Sequence, residues 1–362
     1  MEFDIVIIGG GIAGASLGAA IASRRRTLIV EAEDQCGYHS TGRSAAFFLE
    51  SYGGAEVARL NAASAPMLAA PPPDFADRGF LSPRGAIHLL DGEWPELPAG
   101  VTAERLDRAA LERLVPGLRP KWVRGLLEPG CADIDVARLH ASFLRHFKRA
   151  GGGLRTSARM TGARRSGGQW RIELADGSAL SGRTLVNAAG AWADRIAQSC
   201  GVEPLGFTPL RRTMVQLRVG QSGLAGLPLV NDSNGQFYFK GEADRSIWLS
   251  PHDEIASDPC DAAPEEIDIA TAIQRFEGVV DWPVERVERS WAGLRTFSPD
   301  RLPVYGFESG IEGFFWCAGQ GGFGIQSSPA AAWLGAALLL GEPLPAELAA
   351  VDPARFAPGR FR

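Results

Sequence analysis

Gly9, Gly11 and Gly14 follow one another as G-x-G-x-x-G, and Glu31 stands about 20 residues further on. These residue types at this spacing suit a dinucleotide. The first glycine makes a tight turn, the second lets the backbone approach a pyrophosphate, and the third allows a helix to pack closely on a strand. The helix N-terminus favours the anion. An acid at Glu31 accepts hydrogen bonds from ribose hydroxyls and disfavours a 2′-phosphate, so NADP is not expected. The glycines alone suit FAD and NAD equally. The five cysteines, Cys36, Cys131, Cys200, Cys260 and Cys317, are scattered. They give neither a disulfide framework nor a metal-ligand spacing, so no metal and a reducing, cytoplasmic setting are expected.

The elements that must position these residues are legible in part. Residues 3–8 form a short apolar run, as in a strand buried on both faces of a parallel sheet. An Ala-rich helix is predicted from Ile12 to about Ser23, then a strand over Thr27–Val30 that ends at Glu31. The segment 182–192 reads as a buried strand running into a glycine turn and a helix. Asp135 is placed to cap a helix through Phe147. Pro71, Pro72 and Pro73 mark a loop. Thr213–Val219, Gln236–Lys240 and Ser246–Ser250 read as strands of an antiparallel sheet. The stretch from Ala330 to Leu340 reads as a buried helix, too short to span a bilayer.

The expected class is α/β (α+β overall), a Rossmann-like nucleotide-binding domain with a mostly antiparallel β-sheet substrate domain. At 362 residues two cores are expected. The first is discontinuous, over 1–75, 136–205 and 291–362; the second covers 76–135 and 206–290. Hydrophobic residues make up 45% and the net charge is −5, with no basic face, so nucleic acid is not an expected partner. The N-terminus shows no signal-peptide pattern, and no integral membrane contact is expected.

Four further segments narrow the chemistry. They are GYHSTGRSAA at 37–46, VNAAGAW at 186–192, WAGLRTFSPD at 291–300 and FFWCAGQGGFGIQ at 314–326. Together with GGGIAG they make the chain resemble the D-amino-acid oxidase-like flavoproteins, and within them the bacterial D-arginine dehydrogenases. The resemblance implies non-covalent FAD. It places Gly9, Gly11, Ile12, Ala13, Gly14, Glu31 and Ala32 at the dinucleotide, and Ser40, Thr41, Gly42, Arg43, Ser44, Ala45 and Ala46 along the pyrophosphate and flavin. Arg43 would add positive charge there. Met160 would meet the adenine through its backbone, and Ala189, Gly190 and Trp192 would complete the cradle. Gly319, Gly321, Gly322, Phe323, Gly324, Ile325 and Gln326 would form the loop whose following helix points its positive end at the flavin.

For the substrate, the resemblance implies a carboxylate held by Arg295 and Arg212, with Tyr52 and Tyr238 closing over it. The amine would lie near the carbonyl of Gly321 or Gly322. Hydride would pass from Cα to flavin N5, and the imine would hydrolyse to a keto acid and ammonia. Positioning would be the protein's main contribution. Where D-arginine dehydrogenases carry a glutamate, a histidine and a threonine, this chain has Ala86, Phe47 and Leu49. A cationic side chain without partners is costly to bury, so an apolar D-amino acid is expected, with Glu50 and His88 near enough to restore a polar contact. Gly293 stands where covalent-flavin relatives have a cysteine. Oxidation of glycine or of N-methyl or cyclic secondary amino acids is the competing enzyme reading, and a non-catalytic flavin-binding subunit the third. The electron acceptor, oxygen or a quinone-type partner, is open.

Overall fold

The computed structural model describes residues 2–94 and 102–362. It is a mixed α/β fold whose sheets contain both strand orientations. The eight-stranded first sheet runs Met160–Ser166, Gln169–Leu174, Ala179–Asn187, Glu2–Ile8, Thr27–Val30 and Gly153–Arg155, with Phe314–Ala318 also on Ala179–Asn187 and Val304–Phe307 beyond it. Its central pairs are parallel. Ile5 and Ile7 pack into the cluster that holds the helices Ile12–Ile21, Val136–Arg149 and Ser328–Leu340. Val6 and Ile8 pack into the cluster on the opposite side. The alternation explains why 5–8 is apolar without a break: both faces of the strand are covered there.

The nine-stranded second sheet is antiparallel except where Leu229–Asp232 pairs in parallel with Ala86–Leu90. Its longest ladder joins Thr208–Val219 to Val284–Phe297. That ladder carries the second sheet past the expected boundary at 290, because residues 291–297 pair with Thr208–Met214. Val215, Leu217, Val219, Phe239, Ile247 and Leu249 pack with Ala272 and Phe276 of the helix Glu266–Glu277. The period of two then turns Arg212, Met214, Tyr238, Lys240, Trp248 and Ser250 to the other face. That face is covered by a small third sheet, Phe47–Phe48, Ala132–Ile134 and Leu81–Pro83. The site lies on this second face.

The predicted helix to about Ser23 ends at Ile21, where Ser23–Arg26 turn outward into solvent. Asp135 does cap the helix that follows it, accepting from the Arg138 amide. Phe147, fully buried, locks this helix to the first one: a Cβ on Gly18 would sit 3.1 Å from its ring, and one on Gly152 only 2.2 Å from it. Phe147→Ala should therefore cost about 3–5 kcal/mol, the range for large-to-small core changes. A shift of the urea midpoint corresponding to less than about 1 kcal/mol would show that the helix pair does not depend on it.

Candidate active site

A cavity of about 390 Å³ runs between the two large sheets. At one end it meets the glycine turn. Gly9 has φ +110°, and a Cβ there would sit 2.4 Å from the Ala188 carbonyl oxygen. A Cβ on Gly14 would lie 2.0 Å from the Gly9 carbonyl oxygen, so this glycine serves packing and does not line the cavity. The helix Ile12–Ile21 starts at Gly11 with no side-chain cap, although Thr41 Oγ1 accepts from the Ile12 amide at 3.0 Å. An uncapped helix N-terminus opening on a cleft suits a pyrophosphate. Glu31, at the end of its strand, accepts from the amides of Gly10 at 2.8 Å and Glu33 at 3.0 Å. Each carboxylate oxygen keeps a lone pair for a hydroxyl.

One residue bracing this turn carried no recognisable signal. His140 Nε2 lies 2.8 Å from the Gly10 carbonyl oxygen. A carbonyl only accepts, so Nε2 carries the hydrogen. Burial pushes the imidazole pKa down, which keeps it neutral. In the sequence it was one of five histidines, indistinguishable from a core residue.

Along the cavity lie Ser40, Thr41, Ser44, Ala45, Met160, Ala189, Gly190 and Trp192. Ile12, Ala13, Ala32, Gly321, Gly322, Gly324 and Ile325 line it too. Arg43 lines the cavity as well, but its guanidinium is bonded to the carbonyls of Ala262 at 2.8 Å and Ala292 at 3.1 Å and to the Asp261 carboxylate. Its charge is already matched, so it clamps this segment to the second sheet instead of adding charge to the cleft.

At the far end Arg295 Nη1 donates to the Tyr52 hydroxyl at 3.0 Å. A Cβ on Gly322 would lie 2.9 Å from that same Nη1 and 3.3 Å from the hydroxyl, so glycine is required for the pair to sit there. Arg212 is buried. Its Nε donates to the Asp253 carbonyl at 2.7 Å and its Nη2 to Glu254 at 3.4 Å. Its Nη1 has no partner among the described residues. Burial, and then the charge of Arg295, lowers the Arg212 pKa. Tyr238 stands with its ring centroid 6.0 Å from the Arg212 guanidinium carbon. Arg211, the neighbouring arginine, points elsewhere and pairs with Glu265 and Asp268. An orphaned, buried guanidinium nitrogen beside a second arginine is an arrangement that an anion completes.

Several expected wall residues are not on the wall. Leu49 and Ala86 are buried in an apolar cluster with Met214, Leu229 and Tyr238. Phe47, which does not line the cavity either, packs against that cluster, edge-on to Tyr238 at 5.8 Å and tilted to Tyr52 at 6.1 Å between ring centroids. Phe323 packs with Val57 and Phe297, and Gly319 lies against Phe207. Gly42 closes a turn onto the Gly37 carbonyl, and Ala46 takes a left-handed φ of 61° as its carbonyl accepts from the Ile134 amide. Gln326 spends its amide on the backbone of Leu49, accepting at 3.0 Å and donating at 3.3 Å. With Asn61, which donates to the carbonyls of Glu50 and Tyr52, it fixes the turn that carries Tyr52. These side chains support the site from behind.

His252 was also missed, since nothing in its local sequence marks it. Its ring stands edge-on to Tyr238 at 5.6 Å, and its Nδ1 lies 2.8 Å from the Gly235 carbonyl oxygen. Burial, then the charges of Arg212 and Arg295, push its pKa to about 4. Cys317, at the base of the loop, is buried with its thiol pushed up to about 12.

The family model for DAO, FAD dependent oxidoreductase, matches residues 4–338. The hydrogen cyanide synthase subunit HcnC of Pseudomonas aeruginosa is 28% identical over 256 residues, 70% of this chain and 60% of that protein, so the chain spans less than two thirds of that relative. The glycine oxidase structure from Geobacillus kaustophilus matches with a TM-score of 0.81 at 21% identity, over 98% of both chains. The L-proline dehydrogenase structure from P.horikoshii matches with a TM-score of 0.80 at 20% identity, again over 98% of both. These relatives do not single out the D-arginine dehydrogenases; the narrower likeness expected above gives way to membership at the level of the family.

The depressed His252 pKa sets a sign. From its ordinary value of 6.5 down to about 4, the unfolded chain takes up a proton that the folded chain refuses. The histidine's contribution is therefore complete above about pH 6.5 and is lost as pH falls toward 4. Replacing His252, which has φ +56°, with Asn keeps a residue tolerant of that conformation. His252→Asn should flatten the fall in urea midpoint between pH 7 and pH 4.5. An unchanged slope would mean that other groups carry it.

Proposed function

Since the chain belongs to the DAO family of FAD dependent oxidoreductases, with FAD as its cofactor, we propose that it oxidises the Cα–N bond of a small amino acid. The observation that carries this reading is the Arg295–Tyr52 pair beside the unpartnered Arg212 Nη1, a set of donors awaiting a carboxylate at the end of a dinucleotide cleft. The glycine turn, the open helix N-terminus and Glu31 would hold the ADP half of FAD; Ser40–Ala45 and Gly321–Ile325 would hold the rest. Gly293 offers no thiol at the place where covalent relatives have one, and the cofactor is non-covalent in this reading. When bound, FAD supplies the acceptor for the two electrons and the hydrogen lost from Cα.

The protein's own part is positional. Arg295 and Arg212 clamp the substrate carboxylate, and the Tyr52 and Tyr238 hydroxyls complete its hydrogen bonds. The Gly321 and Gly322 carbonyls receive the amine. No side chain need act as base if the amine loses its proton before or during oxidation. The imine product hydrolyses to a keto acid and ammonia in water.

The side-chain region is bounded by Tyr238 and Met214, with Phe47, Leu49 and Ala86 in the apolar cluster behind them. This supports an apolar D-amino acid as substrate. The second reading, oxidation of glycine or of secondary amino acids, is favoured by the likeness to a glycine oxidase and an L-proline dehydrogenase. The acceptor would be oxygen or a quinone-type partner.

Anaerobic mixing with single amino acids discriminates these. Bleaching of the flavin by D-leucine, D-phenylalanine or D-methionine, with little from D-arginine or L-forms, is the expected result. Fastest bleaching by glycine, sarcosine or proline moves the second reading ahead; D-arginine as the best substrate sinks the apolar reading. Re-oxidation by air then identifies an oxidase. Arg295→Leu should lower kcat/KM by at least about 30-fold, since removing one partner of a buried charged hydrogen-bond set costs about 2–5 kcal/mol. Tyr52→Phe should cost about 1.5–3 kcal/mol, mostly in KM. Unaltered kinetics in Arg295→Leu would remove the carboxylate from this place.

A further inference from the structure

The charges at the far end of the cleft do not sum to zero. Three guanidinium groups come together there, those of Arg212, Arg295 and Arg301, with two carboxylates, Asp253 and Glu254. Glu254 takes Arg301 Nη2 on both oxygens, at 2.8 and 3.0 Å, and reaches Arg212 Nη2 at 3.4 Å. Arg301 is held in place by stacking 3.8 Å above the Phe297 ring. Asp253 is fixed by the amide and hydroxyl of Thr213, at 2.8 and 2.9 Å, and its Oδ1 stands 3.8 Å from Arg212 Nε. His252 is neutral at physiological pH. Arg295 has only the uncharged Tyr52 hydroxyl as a hydrogen-bond partner among the described residues.

Arg211, beyond Asp253, points elsewhere and is matched by the buried Asp268 at 2.8 Å, with Glu265 out in solvent. Around Arg212 and Arg295 themselves one positive charge is left over, in a place where water screens it poorly. A ligand with one carboxylate cancels it. A second carboxylate would enter the same buried space with no cation to meet it, and would have to give up its hydration.

We propose that Asp253 and Glu254 restrict this pocket to ligands bearing a single carboxylate, because they cancel two of its three guanidinium charges and leave only that of Arg295. Amino acids with acidic side chains and N-carboxymethyl amines are excluded on charge, independently of size. The inference rests on the assignment of Arg295 and Arg212 to the substrate carboxylate. It adds that the acids on the far side of Arg212, which touch no substrate in this arrangement, determine specificity.

Three ligands of nearly one shape test it: benzoate, isophthalate, and 3-carbamoylbenzoate, in which the second carboxylate is a neutral amide. Each is titrated into the FAD-loaded protein and followed by the flavin absorbance change. Benzoate and 3-carbamoylbenzoate should bind within about threefold of each other, and isophthalate at least tenfold more weakly, about 1.4 kcal/mol. Asp253→Asn should shrink the isophthalate gap to about threefold or less by tightening isophthalate. An asparagine can still accept from the Thr213 amide, and Asp268 lies 3.4 Å from the Thr213 hydroxyl as a second acceptor, so the fold has a way to tolerate it. Glu254→Gln, at the more exposed end, should move the gap in the same direction. Isophthalate binding as tightly as benzoate, or a gap unchanged in both variants, overturns the proposal while leaving the carboxylate site standing. If no carboxylate perturbs the flavin, the carboxylate site itself is wrong and the proposal falls with it.

Discussion

Two guanidinium groups facing one buried space repel each other, on the order of a few kcal/mol at the dielectric of a partly buried site. Only a stiff support keeps them there in the absence of an anion. Here the support is the ladder between Thr208–Val219 and Val284–Phe297, in which Leu210 faces Arg295 and Arg212 faces Gly293. The two arginines sit on adjacent strands, offset by two residue pairs and so on the same face. A single glycine lies opposite Arg212, where a side chain would meet Arg43 at 3.3 Å. The apolar undersurface, Val215, Leu217 and Val219 against the covering helix, holds the sheet. Burial on one face is thus what allows charge to be concentrated on the other.

The same logic extends to Tyr52. It lies in a short turn, and a turn alone would not hold a hydroxyl on a guanidinium. Three buried or nearly buried polar groups fix it: Asn61 from the helix that follows, and, from distant parts of the chain, Gln326 and Glu128, the latter through the Ser51 hydroxyl. The Tyr52 carbonyl accepts from both Asn61 and Gln326, so the two amides hold the same turn together. Polar burial here serves position, and Gly322 leaves room for the result.

Much of this was legible from residue order. The first strand, glycine turn, helix and Glu31 form a continuous local unit, and their spacing expresses their geometry directly. The long amphipathic or doubly buried strands were likewise readable, because period two shows in the sequence. What was not legible depended on pairings across the chain. Phe47, Leu49 and Ala86 look like wall residues until the fold gathers them into the apolar cluster around Met214 and Tyr238. Arg43 looks like a free charge until Asp261 arrives from 218 positions later. Gln326 sits in a glycine-rich loop beside cavity residues, yet its amide is turned to Leu49. His140 and His252 are single histidines in unmarked surroundings, and only the fold brings one to Gly10 and the other to Tyr238. The end of the second sheet at Phe297 was hidden because an arginine motif, not a turn, occupies the crossing.

The order of strands in the first sheet has a further consequence. Glu2–Ile8 is flanked by Thr27–Val30 on one side and by Ala179–Asn187 on the other, and Phe314–Ala318 completes the neighbourhood. One partner, Thr27–Val30, follows it closely, but the other, Ala179–Asn187, is made very late relative to it. At ordinary synthesis rates of about 5–20 residues per second, the first strand waits on the order of ten seconds or more for its second neighbour. During that time a strand apolar on both faces has one edge open, the condition under which a nascent chain pairs with the wrong partner or recruits a chaperone. A strand in the interior of the finished sheet is thus enclosed long after it is made.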